Sequence, residues 1–285
     1  MNSLPQSNSL IRKVGLGTVQ FGLAYGISNR EGITPPEEVT RLLQFAHTAG
    51  IDLLDTAYGY GKSEEVLGNA GVNNFKVVSK FLPPDGNLTI EAQVSQSLKR
   101  LNVNSLYGLL AHRPLSIISH PASWDTLMKL KHDKIIQKTG FSFNTTEEAD
   151  AVLDTGYLPD LVQVPFNYFD HRFVARLSAL RSAGCEIHTR SPFLQGLFFT
   201  DPSKLPSFFN AVKPMIIHLQ SFGDALPAML LHYCLQQPFI DMVIFGVNTL
   251  NQLVNNLKMP ESAGYLPPLN QQISDEILTP STWPS

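Results

Sequence analysis

Residues 51–68 read IDLLDTAYGYGKSEEVLG, and the parsing of this stretch decides the fold. The apolar run at Ile51, Leu53 and Leu54 suits a buried strand and ends on Asp55, with turn residues immediately after it. Helix signals follow at once, with Ser63 as an N-cap ahead of Glu64 and Glu65 in the first turn. The order is therefore strand, loop, helix. Asp55 falls at the C-terminal end of the strand and Tyr60 on the loop behind it. An acid and a phenol on one βα loop suggest a site; the alternative is an ordinary turn, since loops are rich in both residue types.

Working outward from this unit, apolar runs bounded by turn signals predict strands at Lys13–Gly17, Gly50–Asp55, Phe75–Lys80, Ser105–His112, Ile135–Phe141, Pro159–Val164, Cys185–Ser191 and Asp241–Phe245. Helical patterns lie between them. Thr34 to Glu37 reads as a capping box with proline at the first helical position, followed by Val39, Leu42, Leu43 and Ala46 at helical spacing. Thr145 to Glu148 and Thr249 to Gln252 read as two more capping boxes, and 201–238 is expected to hold two helices. Strands alternating with helices over this length predict an α/β chain folded as one (β/α)8 TIM barrel, with its active site at the strand C-termini. A doubly wound sheet is the rival, but Gly15-Leu-Gly17 is followed by Gln20 and the dinucleotide fingerprint fails. The expected layout is a loose arm at 1–12 and the barrel over 13–285. Its Pro-rich polar tail, about residues 260–285, would pack over the mouth or the base.

Composition removes several function classes. Hydrophobic residues make up 43% and charged residues 16% of the 285, with a net charge of -3, so a nucleic acid partner is not expected. The two cysteines, Cys185 and Cys234, form neither a disulfide framework nor a CxxC pair, which fits a reducing compartment. No apolar run is long enough to span a membrane, and the start MNSLPQSNSLIRK lacks the shape of a signal peptide. A cytoplasmic location without membrane contact is the expectation. His47, His188 and His232 show no metal-ligand spacing, so no metal is expected.

In a barrel, Asp55, Lys80 and His112 come at the ends of strands two, three and four, and Tyr60 hangs over them. A phenol with a pKa near ~10 is a poor proton donor unless a neighbour stabilises its phenolate, and a lysine held by a carboxylate supplies that charge. An imidazole beside it can hydrogen-bond the phenol or a substrate oxygen. A carbonyl placed against Tyr60 and His112 would be polarised for hydride attack.

These residues, together with GLGTVQFG at 15–22, SLKRLNV, HRP, VQVPFN, RSPFLQGLF and GVNTLNQLVNNL at 246–257, resemble the aldo-keto reductase superfamily in their order along the chain. The resemblance implies an NADP(H)-dependent oxidoreductase that reduces an aldehyde or ketone, NAD being an alternative cofactor. Tyr60 would be the general acid, tuned by Lys80 and Asp55, with His112 orienting the carbonyl. It also implies cofactor contacts at Gly17, Thr18, Asp55, Ser142, Gln163, Arg190, Ser191, Leu194, Gly196, Leu197, Gly246, Gln252 and Asn256. The chain departs from the family pattern in three places. Phe143 stands where an Asn is usual, Arg190 where an aromatic ring often stacks on the nicotinamide, and Gly246 and Gln252 where Lys and Arg often meet the 2′-phosphate. Backbone amides at the start of the last barrel helix are the expected phosphate donors instead. A cofactor-binding redox sensor with little turnover is the competing function. The expected partner is a small-molecule carbonyl substrate, and the chain a monomer or dimer.

Overall fold

Eight parallel strands pair in chain order and close β8 back onto β1: β1 (Val14–Gly17), β2 (Leu53–Asp55), β3 (Lys76–Phe81), β4 (Leu106–Ala111), β5 (Ile136–Ser142), β6 (Leu161–Pro165), β7 (Glu186–Arg190) and β8 (Met242–Gly246). The computed structural model describes residues 10–27, 29–85, 88–258 and 266–284. Helices α1 (Pro36–Ala49), α2 (Ser63–Ala70) and α3 (Ile90–Leu101) follow the first three strands. The rest are α4 (Ser116–Ser119), α5 (Ala122–His132), α6 (Thr146–Leu153), α7 (Val174–Ser182), α8 (Lys213–Gln220), α9 (Leu226–Leu235), α10 (Leu250–Asn256) and α11 (Asp275–Leu278). The chain is thus a single (β/α)8 barrel, and 201–238 does hold two helices. The predicted strands shift by one to three residues; the largest shift is at β2, where Gly50 is instead the left-handed C-cap of α1.

Three apolar layers hold this frame. Side chains between sheet and helices, such as Leu16, Leu42, Leu54, Leu67, Val94 and Leu109, form the main core. Leu53, Val78, Leu110, Leu161, Met242 and Ile244 fill the barrel interior. Each such side chain contributes roughly 1.5–3 kcal/mol on burial. The third layer packs Ile273, Ile277 and Leu278 of the C-terminal tail against Tyr168, Phe169, Leu194 and Leu197 of the loops after β6 and β7. The tail therefore lies on the mouth side. Residues 1–9 of the expected arm and 259–265 of the tail lie outside the described residues. Leu10 and Ile11 already pack against the core.

The closed end is polar. Glu186 accepts from Tyr107 Oη at 2.6 Å and from Lys138 Nζ, and its other oxygen meets His188 Nε2 at 2.7 Å. Burial raises the Glu186 pKa, but His188, Lys138 and Tyr107 together outweigh it and bring it down to about 2. His188 is thus a fully buried structural residue of the barrel interior.

Two capping expectations fail for physical reasons. Helix α1 starts at Pro36 with Pro35 as an extended N-cap, so Thr34 does not cap it. A residue before proline is pushed out of the helical region, and Pro36 does this to Pro35. Ser63 is the first helical residue of α2, not its cap; its Oγ donates instead to the Thr18 carbonyl at 2.8 Å. The box at Thr249 forms as expected; at Thr145 the hydroxyl accepts from Glu148 N, but the Glu148 carboxylate accepts from Asn144 N and not from Thr145 N, so that box is only half made.

Candidate active site

The register of β1, β2 and β8 puts Gly17, Asp55 and Gly246 level at the C-terminal rim. The loop after β2 then carries Tyr60 over this rim, and its position is fixed from below. Thr18 N and Oγ1 both donate to the Asp55 carbonyl at 3.0 Å, Ser63 binds Thr18, and Thr56 Oγ1 lies 3.2 Å from Ser63 Oγ. Gly22 is packed against the same turn. A Cβ built on it would lie 1.9 Å from the Tyr60 carbonyl oxygen and 2.5 Å from Ser63 N. Only glycine permits that approach.

Under Tyr60 lies a buried ion pair. Lys80, 1% exposed, donates to Asp55 Oδ2 at 2.6 Å and to the Thr56 carbonyl at 2.9 Å. The other carboxylate oxygen accepts from Gln163 Nε2 at 2.7 Å. Burial disfavours the ammonium, but Asp55 and Tyr60 outweigh it and hold the Lys80 pKa above its ordinary value. Lys80 therefore stays charged at neutral pH, with Nζ 5.1 Å from the centre of the Tyr60 ring. The His112 ring meets the Tyr60 ring edge-on at 5.6 Å. Its pKa is lowered to about 3, first by burial and then by the charges of Lys80, Arg113 and Arg190. A neutral imidazole with a buried, unpartnered Nδ1 thus sits beside the phenol. A phenol above a fixed cation, next to a neutral imidazole, can deliver a proton to an oxygen placed between them.

The residues expected around a dinucleotide are distributed unevenly. Ser142 and Gln163 are register partners on β5 and β6, both buried, and Gln163 Oε1 is a buried acceptor with no partner. Phe143 turns its ring into the core, and its carbonyl accepts from Arg190 at 3.1 Å. Arg190 also donates to Asn144 Oδ1 at 2.6 Å, and no carboxylate among the described residues pairs with it. Ser191, Leu194, Gln195 and Gly196 all have positive φ, a strained run for the non-glycine residues. The Leu194 and Leu197 side chains are in the core under the tail, so only their backbone can face a ligand.

The end of β8 differs most from expectation. Gln252 Oε1 is occupied by Asn248 N at 2.7 Å and Thr249 N at 3.3 Å, and Leu250 N donates to Glu38 Oε1 at 2.6 Å. These amides at the start of α10 are committed within the protein, because a capping box and a carboxylate from α1 satisfy them. Asn256 is the last residue of α10.

Several residues of the site carried no signal in the sequence. Gln20 covers Gly246, whose added Cβ would lie 2.2 Å from Gln20 Oε1. Tyr25 Oη accepts from Gln195 Nε2 at 2.7 Å and Ile27 N donates to the Gln195 carbonyl at 3.1 Å, which ties the loop after β1 to the loop after β7. Such long-range pairings have no local pattern. The Gly22 contact had one, the GLGTVQFG run, which was read only as a family marker.

A polar cluster at the strand C-termini of a closed (β/α)8 barrel marks the chain as a barrel protein of the enzyme type. The pattern defining the aldo/keto reductase family matches residues 13–263, and the chain belongs to that family. An aldo-keto reductase of Mycolicibacterium smegmatis is 31% identical over 133 residues, 44% of this chain and 47% of that protein, so the match spans about half of that relative. The holo form of a Bacillus halodurans aldo-keto reductase superposes with a TM-score of 0.70 at 18% identity, covering 93% of this chain and 89% of that one. A Klebsiella pneumoniae aldo-keto reductase in complex with NADPH gives 0.64 at 18% identity, covering 90% and 95%. These two likenesses speak for the fold.

Proposed function

We propose that the protein is an NADPH-dependent reductase of an aldehyde or ketone in which Tyr60 is the general acid. The observation that carries this is the buried Lys80–Asp55 pair directly beneath Tyr60, with neutral His112 at its side. A charged lysine under the ring lowers the cost of developing phenolate, so the hydroxyl can give its proton to the carbonyl oxygen as negative charge builds there. Because His112 is neutral and its buried Nδ1 has no acceptor, the tautomer with hydrogen on Nε2 is favoured, and this N–H is the donor that orients the carbonyl. Asp55 holds Lys80 in place and is itself held by Gln163.

NADP(H) is the cofactor we assign, a reading supported by family membership and by the NADPH bound in the Klebsiella relative. The residues present fit a nicotinamide. Gln163 offers a buried, unpartnered oxygen to a carboxamide N–H, with Ser142 beside it in register. Arg190 and the 191–197 loop border the same end of the barrel. When bound, the cofactor supplies the hydride; the protein holds the carbonyl and delivers the proton. A cytoplasmic location is part of the proposal, and no helix among the described residues is long and apolar enough to cross a membrane. The test is a panel of sugars, α-keto acids, aromatic aldehydes and pyridoxal with NADPH or NADH, followed by loss of reduced-nicotinamide absorbance. Turnover of at least one carbonyl is expected. Tight cofactor binding with no turnover of any would favour the sensor reading instead.

A further inference from the structure

The mouth carries positive charge that no carboxylate among the described residues neutralises. Elsewhere Arg41, Arg100, Arg172, Arg176 and Arg181 each pair with a carboxylate. Among the described residues Arg190 is held by neutral acceptors, the Phe143 carbonyl, Asn144 Oδ1 and, at 3.5 Å, Ser191 Oγ. Arg113 follows His112 directly, is exposed, and has no side-chain hydrogen bond or ion pair among the described residues. Both guanidinium groups bear electrostatically on His112, as does Lys80. Asp55 is already committed to Lys80 and Gln163. In a chain of net charge -3, this rim thus carries two guanidinium groups that no carboxylate among the described residues pairs with.

Dinucleotide phosphates do not account for Arg113. In the closed ring β4 lies opposite β8, and barrel phosphate sites are usually built from the loops after strands seven and eight. Arg113 is on the other side, next to the group that faces the carbonyl. We infer that the substrate carries an oxyanion, a carboxylate or a phosphate, beside its carbonyl, and that Arg113 binds this group at the edge of the mouth while Tyr60 and His112 hold the carbonyl. The planar guanidinium suits both anions, since its N–H groups match two oxygens at once. Arg190 adds to the attraction without needing to touch the anion. The inference rests on the reductase reading for the position of the carbonyl.

The test compares matched pairs with NADPH: butanal against 4-oxobutanoate, and glyceraldehyde against glyceraldehyde 3-phosphate. The wild type should favour the anionic member of one or both pairs by about tenfold or more in kcat/KM, the size expected for a charge-assisted contact. Which pair responds identifies the anion. Arg113→Gln should remove the preference through KM, leaving turnover of the neutral member and the cofactor Kd unchanged, and Arg113→Lys should restore part of it. Added salt should weaken only the anionic reactions. Equal use of both members, or a preference that survives Arg113→Gln, would overturn the inference. If no pair turns over, the reductase reading fails by itself, and the subsite is judged by binding. Succinate or inorganic phosphate should then raise the Tm of the wild type but not of Arg113→Gln; no shift in either protein overturns it.

Discussion

Asp55→Asn separates the electrostatic role of the ion pair from its packing. The substitution keeps the shape and the oxygen that accepts from Gln163, but it leaves Lys80, 1% exposed, with only the Thr56 carbonyl and an amide oxygen for partners. Removing one member of a buried pair costs about 3–5 kcal/mol, and unit charges ~4 Å apart at an effective dielectric of 20 give a similar figure, about 4 kcal/mol. Without the carboxylate that chiefly raises it, burial dominates, and the pKa of the folded lysine falls below its ordinary 10.5. In the wild type the raised pKa keeps Lys80 protonated in both folded and unfolded chains until the pH exceeds 10.5. In the variant the folded lysine loses its proton at a lower pH than the unfolded one, so variant stability rises with pH up to about 10.5. Urea unfolding of both proteins at several pH values is the assay. The variant should be less stable by about 4 kcal/mol near neutrality, with the deficit shrinking as the pH approaches 10. A deficit that stays constant over this range would refute the account of Lys80 as a buried cation sustained by Asp55.

Three further outcomes are expected. Replacing Arg190 by Tyr should narrow the ratio of oxidised to reduced cofactor Kd, because a guanidinium close to the nicotinamide disfavours the positive oxidised ring by about one to a few kcal/mol; a ratio unchanged in four titrations would place Arg190 away from the ring. The His112 pKa of about 3 against an ordinary 6.5 means that the unfolded chain takes up the proton first, so stability falls as pH drops from 6.5. Unfolding at pH 7 and 5 should show the wild type losing ~2 kcal/mol more than His112→Asn, and equal losses would contradict the burial of a neutral imidazole. Gly22→Ala should lower kcat by about tenfold or more, since its Cβ displaces the turn that carries Tyr60; wild-type kcat would mean that the turn yields without moving the phenol.

The barrel was legible because its strands end where turn residues begin, and the DTAYGYG stretch showed that ending clearly. The Asp55, Tyr60, Lys80, His112 cluster was legible for the same reason, each residue lying at or just beyond a strand end. Features set by long-range contact were not legible. Ser63 and Thr34 have the residue types of caps, but a bond to Thr18 and the ring of Pro36 decide what they do. The start of α10 looked like a free anion site until Glu38, distant in sequence, was seen to occupy an amide. Arg190 stands where the family often has a ring against the nicotinamide, and its fixed partners, a carbonyl and an amide on the loop after β5, have no local sequence signal.

The central claim is that the Tyr60 hydroxyl supplies the proton, and Tyr60→Phe tests it most directly, because it removes one oxygen and leaves the ring against Lys80 and His112. The measurement is kcat for a carbonyl that the wild type reduces, together with the NADPH Kd from fluorescence titration. The account predicts a loss in kcat on the order of 10²-fold or more with the Kd nearly unchanged. A variant with near-wild-type kcat would contradict it.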